Sequence, residues 1–247
     1  MNEEKFTGKA ELYDKYRPDY PNSLVDWLYD KTNADTVADI GAGTGKFTLC
    51  LFKKPWKITA VEPNSDMCSV LRKKAPFADI INASAENTGV ESCSVGLITV
   101  AQAFHWFDEE RFKVECKRIL KAGGKTAIVF NERNYTDCEI SSERDKICQK
   151  YCGAFHSGHI GKRTSEEGDL FLRNEYFSEV EFYSADNNIK MDEETFVGDT
   201  LSRSYALKEG DSNFSQFVDE LRDIFSKYEQ GGFVTIKYTA TCYLGKF

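Results

Sequence analysis

A glycine-rich turn in residues 37–46 is the segment with the clearest capacity for chemistry. It runs from an apolar strand into alternate glycines, at Gly41, Gly43 and Gly45. Because these positions lack Cβ atoms, a ligand can lie directly on the backbone. Glu62 follows at the spacing that places an acid at the tip of the next strand, where its carboxylate can accept both hydroxyls of a ribose. The pair indicates an adenosine-type ligand, and the alternative is a tight strand-to-helix turn beside a surface glutamate.

A nicotinamide dinucleotide is the main rival ligand for this turn. Its loop has the spacing Gly-x-Gly-x-x-Gly, whereas here the third glycine comes one residue early, at Gly45, and Lys46 takes the later place. The chain also contains no Tyr-x-x-x-Lys pair that could serve as the acid in hydride transfer. A nicotinamide-dependent oxidoreductase is therefore the less favoured alternative.

Six short segments carry further motifs. They are Phe6–Ala10, Tyr16–Pro21, Asp39–Gly45, Val61–Pro63, Ser84–Glu86 and Gln102–Phe107. Together they resemble the class I S-adenosylmethionine-dependent methyltransferases, in particular the small-molecule subgroup that includes trans-aconitate methyltransferases. The resemblance implies an α/β fold, a Rossmann-like seven-stranded sheet of order 3-2-1-4-5-7-6 with strand 7 antiparallel, helices on both faces and a helical lid.

The same resemblance implies S-adenosyl-L-methionine as the cofactor, bound across the carboxyl ends of the first four strands. Open α/β sheets bind ligands at that edge on general grounds as well. The implied cofactor-binding residues are Arg17, Asp39, Gly41, Ala42, Gly43, Gly45, Glu62, Pro63, Ser84, Ala85, Glu86, Ala101 and Gln102. Arg17 would pair with the methionine carboxylate from an arm folded over the cofactor, and a surface arginine is the alternative. Ser84 stands where the family more often has Asp, so contact with the adenine amine would pass to Glu86 or to backbone.

The residues expected on the acceptor side are His105, Trp106, Arg203 and Tyr205. His105 is a candidate base, because an imidazole titrates near neutral pH, and the alternative is a structural histidine stacked on Trp106. The rings of Phe104 and Trp106 could face the sulfonium, although burial in the core explains either ring equally well. Arg203 could bind an acidic substrate and Tyr205 could line the pocket wall, since their segment resembles one common in the subgroup.

Composition excludes several classes of function. With 247 residues and a net charge of −8, the chain is an unfavourable partner for nucleic acid, and no Asn/Asp-Pro-Pro-Tyr motif follows the fourth strand. Neither a signal peptide nor a membrane span is expected, and eight scattered cysteines favour the cytoplasm. Cys148, Cys152, His156 and His159 lack the paired spacing of zinc sites, so we expect no metal.

Alternating patterns predict the elements that position these residues. Strands are expected at 36–40, 57–61, 79–83, 95–101, 125–131, 177–183 and 233–244, and helices at 22–31, 45–52, 64–74, 109–120, 192–205 and 214–228. Asn22 is the candidate cap of the first of these helices. We expect one domain over residues 1–247, with lid segments at 132–175 and 192–230.

The sequence therefore predicts in-line transfer of a methyl group from S-adenosylmethionine to a small-molecule acceptor, by a monomer or homodimer without nucleic-acid or membrane partners. The alternative is a non-catalytic module that binds S-adenosylmethionine or S-adenosylhomocysteine. These motifs do not identify the acceptor.

Overall fold

The protein is built around a twisted central sheet. The computed structural model describes residues 10–134, 137–153, 163 and 165–247. The strands are β1 (Thr36–Ile40), β2 (Lys57–Val61), β3 (Asp79–Ile81), β4 (Val95–Ala101), β5 (Leu120–Arg133), β6 (Glu179–Asp186), β7 (Ile189–Met191), β8 (Val234–Ile236) and β9 (Tyr238–Lys246). Seven of them form the main sheet in the order β3-β2-β1-β4-β5-β9-β6.

Strand directions in the main sheet agree with the expected Rossmann-like topology. Strands β1 to β5 pair in parallel, whereas β9 is antiparallel to both of its neighbours, β5 and β6. Since β9 is the last of the seven strands along the chain, the predicted order 3-2-1-4-5-7-6 with an antiparallel seventh strand is confirmed.

Helices cover both faces of this sheet. They are α1 (Ala10–Tyr16), α2 (Asn22–Lys31), α3 (Lys46–Leu51), α4 (Ser65–Lys74), α5 (Glu109–Ile119), α6 (Glu139–Cys152), α7 (Ser165–Phe171), α8 (Glu193–Leu201) and α9 (Phe214–Tyr228), with a 3₁₀ turn at Phe104–Trp106 and a π-helical turn at Leu172–Tyr176. The predicted spans of α2 and α9 are confirmed to the residue. The predicted cap of α2 was wrong, because Pro21 is at the N-cap and the Asn22 side chain accepts a hydrogen bond from Lys53 Nζ instead.

Alternate residues of the central strands lie on opposite faces of the sheet and pack into two separate hydrophobic cores. Leu97 and Val129 pack with α2 and α3 on one face, and Ile98 and Ile128 pack with Phe112 of α5 on the other. Parallel strands covered on both faces are apolar along their whole length, which is why periodicity located them so well.

A second apolar cluster lies outside the main sheet. It joins α6, α8 and α9 to the small antiparallel sheet of β7 and β8. The predicted single strand 233–244 was wrong, because the chain breaks at Lys237. Strand β8 pairs with β7, and β9 enters the main sheet.

Candidate functional site

A cavity opens at the carboxyl ends of β1, β2 and β4. Its wall comes from four chain segments that follow these strands and β3, and from one residue of α1. The lining residues are Tyr13, Gly41, Gly43, Glu62, Pro63, Asn64, Met67, Ser84, Ala85, Glu86, Ala101, Gln102, Ala103, Trp106 and Phe107. Because parallel strands end at one edge, residues far apart in sequence meet here.

The glycine turn after β1 has a backbone that requires glycine. Gly41, Gly43 and Gly45 have φ values of +70°, +59° and +91°, a left-handed conformation that other residues rarely adopt. The amides of Gly41 and Ala42 both donate to the carbonyl of Val61, at 2.8 and 3.0 Å, which ties the turn to the end of β2. A Cβ at Gly41 would lie 2.5 Å from the Ala103 Cβ, whereas one at Gly43 would meet only Met67 Sδ at 3.8 Å. Gly43 is therefore the glycine with space above it on the cavity side.

The carboxylate of Glu62 holds the turn from the end of β2. Its Oε2 accepts a hydrogen bond from the Gly43 amide and its Oε1 accepts one from the Asn64 amide, each at 2.8 Å. The residue is 5% exposed. Glu62 is also among the residues that line the cavity. Glu62 thus shapes the site and presents negative charge to it.

Three predicted cofactor-binding residues, Asp39, Ala42 and Gly45, are not among the residues that line the cavity. The fully buried Asp39 accepts hydrogen bonds from the hydroxyls of Thr48 and Thr99, at 2.6 and 2.9 Å, and burial raises its pKa to about 6 despite these bonds. Gly45 starts α3, and its amide donates to the carbonyl of Ala42 at 2.9 Å. These residues therefore support the structure of the turn and do not line the cavity.

The loop after β3 closes a second side of the cavity. Ser84, Ala85 and Glu86 all line it, and Glu86 Oε1 accepts a hydrogen bond from the Asp108 amide at 2.9 Å. That bond connects the β3 loop to the segment after β4, so the walls on both sides of the cavity are fixed to each other.

The segment after β4 turns sharply at Gln102. This residue has φ +56°, which is uncommon for a residue with a side chain. Its amide donates to the carbonyl of Val129 and its Nε2 donates to the carbonyl of Asn131, at 2.9 and 2.7 Å. Two bonds to β5 therefore hold the turn that carries the aromatic residues into the cavity.

The aromatic residues after Gln102 divide between cavity and core. Trp106 and Phe107 line the cavity, whereas Phe104 is buried against Phe112 and Tyr176. For Phe104 the structure therefore fits the second alternative, burial in the core, and Phe107 lines the cavity together with Trp106. The His105 ring lies 4.6 Å from the Trp106 ring and is not among the cavity residues. The two rings are tilted by 47° rather than stacked, and this contact fits the structural alternative for His105.

Comparison with known proteins shows what this part of the chain resembles. Residues 38–128, which contain most of β1, all of β2 to β4 and most of the cavity wall, match the family model described as Methyltransferase domain. This part of the chain is therefore similar to methyltransferase domains, and the sheet order is that of a Rossmann-like fold.

Several methyltransferases align with it. An uncharacterized methyltransferase-like protein of Schizosaccharomyces pombe is 41% identical over 128 residues, 50% of this chain and 50% of that protein. An uncharacterized methyltransferase of Mycobacterium tuberculosis is 38% identical over 129 residues, 52% of this chain and 53% of that protein. The probable S-adenosylmethionine-dependent methyltransferase CRG1 of Saccharomyces cerevisiae is 31% identical over 171 residues, 66% of this chain and 57% of that protein. The chain spans about half the length of these curated relatives.

A solved structure shares the fold of this protein over nearly the whole chain. It is a putative type II methyltransferase from Anaeromyxobacter dehalogenans, 23% identical, with a TM-score of 0.67, 94% of this chain and 98% of that chain being covered. At this identity the likeness shows the fold alone. The narrower resemblance to trans-aconitate methyltransferases stays a prediction.

Five of the residues that line the cavity were not predicted. They are Tyr13, Asn64, Met67, Ala103 and Phe107. Asn64 had a readable signal, since it caps α4 by accepting a hydrogen bond from the Met67 amide at 3.0 Å, and that cap also places Met67 one turn above the glycines. No signal in the sequence marked Tyr13 as a cavity residue, because α1 reaches the cavity through tertiary packing.

The remaining predicted residues are not among those that line the cavity. The Arg17 guanidinium lies 5.0 Å from the centre of the Tyr13 ring, whose residue lines the cavity. Arg203 Nη2 donates to both carboxylate oxygens of Asp199, each at 3.1 Å. Tyr205 packs against the second apolar cluster.

Two negative observations concern only the part of the chain that the structure describes. Within it, no three His, Cys, Asp or Glu side chains are arranged to hold a metal ion. His156 and His159, and the Phe6–Lys9 part of the first motif, lie outside the described residues. Among the described helices, none has the length and apolar character needed to cross a bilayer.

Proposed function

We propose that the protein is an S-adenosylmethionine-dependent methyltransferase that moves a methyl group to a small-molecule acceptor by in-line displacement. The observation that carries this proposal is that Gly43, open to the cavity, and the buried carboxylate of Glu62 line the same cavity and are joined by a hydrogen bond of 2.8 Å. Such a pair suits a ribose lying on the backbone. The yeast relative whose name states dependence on S-adenosylmethionine supports the same cofactor.

The chemistry of the lining fits an adenosine bearing a sulfonium. Ala85 and Met67 offer apolar surface for a flat ring, while Ser84 and Glu86 offer polar atoms at its edge. Trp106 and Phe107 present aromatic rings, which attract a positive charge by about 0.5–2 kcal/mol. When bound, S-adenosylmethionine supplies a methyl group on an already activated sulfur leaving group.

The protein then has to align the cofactor with the acceptor and to exclude water from the cavity. Fixing two reactants in attacking geometry can supply about 7–11 kcal/mol of a bimolecular barrier. In this chain the Gln102 turn, held by two hydrogen bonds to β5, positions Trp106 at the cavity. Where the acceptor is a hydroxyl or an amine, His105 remains the candidate base that the sequence offers, and a carboxylate acceptor needs no base.

We further propose that the second apolar cluster belongs to a lid over the acceptor side. Helices α6, α8 and α9 lie within the expected lid segments 132–175 and 192–230, and α8 packs on α1, which supplies Tyr13 to the cavity. In this proposal the whole chain is one catalytic domain. Its eight free cysteines, six of them buried, suit the cytoplasm.

The cofactor proposal is tested by calorimetric titration with S-adenosylhomocysteine. We expect binding by the full chain and a 10- to 100-fold loss, on the order of 1.5–3 kcal/mol, in Glu62→Gln, which removes the charge but keeps the shape. Glu91→Gln, at an exposed position, is the matched control and should bind as the parent chain does. No binding by the parent chain would refute the proposal.

Catalysis needs a separate measurement, because a binding module would pass the first test. The chain is incubated with S-adenosylmethionine carrying a labelled methyl group and a panel of small acids, alcohols and amines. Transfer of label to a panel member supports the enzyme. Tight S-adenosylhomocysteine binding with no transfer to any member would instead favour the non-catalytic module.

A further inference from the structure

Strand β5 carries a carboxyl group that the proposed cofactor site does not use. Glu132 is the last residue but one of this strand and is partly buried. Within residues 10–134, 137–153, 163 and 165–247, no cation or hydrogen-bond donor acts on its carboxylate. Carboxylates withdrawn from water are normally paired, so this one is available to a group from outside the described chain.

The strand register fixes the face of the sheet on which Glu132 lies. Alternate residues of a strand share a face, and Ile128 and Phe130 of β5 pack into the core that contains α5. Glu132 follows them at the same period, and the pairing of β5 with β9 is continuous through this stretch. The side chain of Glu132 therefore lies on the α5 face, beyond Phe130 and at the carboxyl edge of the sheet.

The aromatic wall of the cavity lies on the same face. Phe104 belongs to the core under α5, and Phe107 packs against that core and lines the cavity. Gln102, another lining residue, donates from Nε2 to the carbonyl of Asn131 at 2.7 Å. That carbonyl belongs to the peptide group that joins Asn131 to Glu132. Glu132 therefore adjoins the aromatic side of the cavity, whereas the glycine turn lies at the end of β1.

Burial makes the charged form of Glu132 unfavourable. It raises the pKa of this carboxyl to about 7, and no charged group in the described part of the chain offsets that effect. A ligand that covers Glu132 withdraws it further from water. A neutral ligand would then favour the protonated acid, whereas a cation would stabilise the carboxylate. The position of Glu132 therefore favours ligands that carry positive charge.

Other charged groups on this side of the sheet pair with one another. Arg173 Nε donates to both oxygens of Asp169, at 2.8 and 2.9 Å, and Arg163 Nη1 donates to Glu109 at 2.6 Å. The Tyr243 hydroxyl donates to Asp169 Oδ1 at 2.7 Å, and burial raises the pKa of this tyrosine. These groups balance one another and leave Glu132 as a separate negative charge.

Two more titratable groups belong to neighbouring elements. Asp186 of β6 shares the face of Glu132, because Thr239 of β9 pairs with both residues, but it is exposed and lies two strand spacings away, about 10 Å. His105 belongs to the 3₁₀ turn after β4, and an imidazole titrates near neutral pH. Any pH dependence of binding near pH 7 must therefore be divided between Glu132 and His105 by substitution.

We propose that Glu132 binds the ammonium group of the methyl acceptor, which makes small amines with an apolar body the substrate class. Trp106 and Phe107 line the neighbouring wall, and the faces of aromatic rings attract cations. Naming the amine as the acceptor rests on the proposed methyltransferase function. The ammonium group of the cofactor's own amino-acid part is the competing source of the same chemistry.

The first experiment compares three probes that share a phenyl body and differ in the head group: 2-phenylethylamine, 2-phenylethanol and 3-phenylpropionate. In calorimetry at pH 7.5 with S-adenosylhomocysteine present, the amine should bind at least about tenfold more tightly than the alcohol or the acid. A smaller advantage, or no binding of the amine, would overturn the assignment.

Protonation gives a signature that needs no variant. The amine should bind roughly 20-fold more weakly at pH 5.5 than at pH 7.5, because its ammonium group stays charged while Glu132 becomes neutral. Binding at pH 5.5 should release about one proton, which calorimetry in buffers of different ionisation enthalpy measures. An affinity that does not change with pH would contradict the proposal.

Variants then separate Glu132 from His105. Glu132→Gln should weaken the amine at pH 7.5 at least about tenfold and abolish its pH dependence. Asp186→Asn, which neutralises the exposed carboxylate on the same face, is the matched control and should bind as the parent chain does. His105→Asn should keep the pH dependence. If the dependence persists in Glu132→Gln, the titrating group is another residue and the proposal fails.

Thermal stability distinguishes a binding role from a structural one. Because burial disfavours the charge on Glu132, Glu132→Gln without ligand should have a Tm at pH 8 equal to or above that of the parent chain. A lower Tm together with unchanged amine affinity would show that the carboxylate serves the fold alone.

A last comparison separates the acceptor from the cofactor. S-adenosylhomocysteine has the amino-acid ammonium group and 5′-methylthioadenosine lacks it. If Glu132→Gln weakens S-adenosylhomocysteine selectively and the parent chain does not bind 2-phenylethylamine, the carboxylate serves the cofactor and the acceptor assignment falls. If the amine binds but S-adenosylhomocysteine does not, the methyltransferase proposal fails and the word acceptor falls with it, while the amine site stands.

Discussion

Replacement of Gly43 by alanine offers the sharpest test of how this cavity works. Gly43 has φ +59°, and a Cβ there would meet only Met67 Sδ, at 3.8 Å. The folded protein therefore has space for the added methyl group. The substitution should still destabilise the fold by about 1–2 kcal/mol, because alanine has to adopt the left-handed backbone conformation of Gly43. For a chain of this size that corresponds to a fall in Tm of roughly 2–8 °C.

The effect on ligand binding should be larger and local. The added carbon projects about 1.5 Å beyond Cα on the cavity side, and a retreat of even 0.5–1 Å forfeits about a quarter to a half of a van der Waals contact. We expect S-adenosylhomocysteine affinity to fall at least about tenfold, equivalent to about 1.4 kcal/mol.

Gly123→Ala is a matched control for this variant. Gly123 has φ +77°, no atom lies within 4 Å of the place that an added Cβ would take, and the residue lies in β5 near the end opposite the cavity. Both variants should show a similar fall in Tm by calorimetry, and only Gly43→Ala should lose affinity in titration. Equal affinities in the two variants would refute the claim that the ligand lies on the glycine turn.

Two further predictions concern the scaffold. Asp39 has its pKa raised from 3.8 to about 6 by burial, so its protonated form is favoured by folding, and its contribution to stability is present below pH 4 and lost as pH rises through 6. In urea denaturation the parent chain should therefore gain up to about 3 kcal/mol from this residue between pH 7 and pH 4, and Asp39→Asn should lack that gain; an identical pH dependence in the variant would contradict the assignment. Phe112→Ala, which empties a fully buried position in α5, should cost about 3–5 kcal/mol, whereas Val114→Ala on the exposed face of the same helix should change stability by less than about 0.5 kcal/mol. Similar losses in both helix variants would contradict the described packing.

Local patterns in the sequence account for much of the fold. Strand Lys57–Val61 and helix Phe214–Tyr228 were predicted to the residue, because apolar period and turn residues are properties of neighbouring positions. The break at Lys237 could not be predicted in that way. Val234–Ile236 and Tyr238–Lys246 read as one strand until their partners, Ile189–Met191 and β5, separate them.

The same division runs through the candidate site. Gly41, Gly43 and Glu62 were recognisable from the sequence because the demands of a left-handed turn and a strand-end carboxylate are local. The contribution of Tyr13 to the cavity and the burial of Phe104 were not recognisable, since both depend on which elements pack together.

By itself, the sequence determined that this chain has a parallel sheet with a glycine turn and a neighbouring acidic residue. It thereby predicted that a cofactor binds at the carboxyl edge of that sheet. Only the tertiary structure decided that Arg144 and Arg203 meet at the buried carboxylate of Asp199. The physical reason is range: a turn's dihedral angles are set by adjacent residues, whereas the charge balance of a buried cluster is set by whichever distant residues the fold brings together.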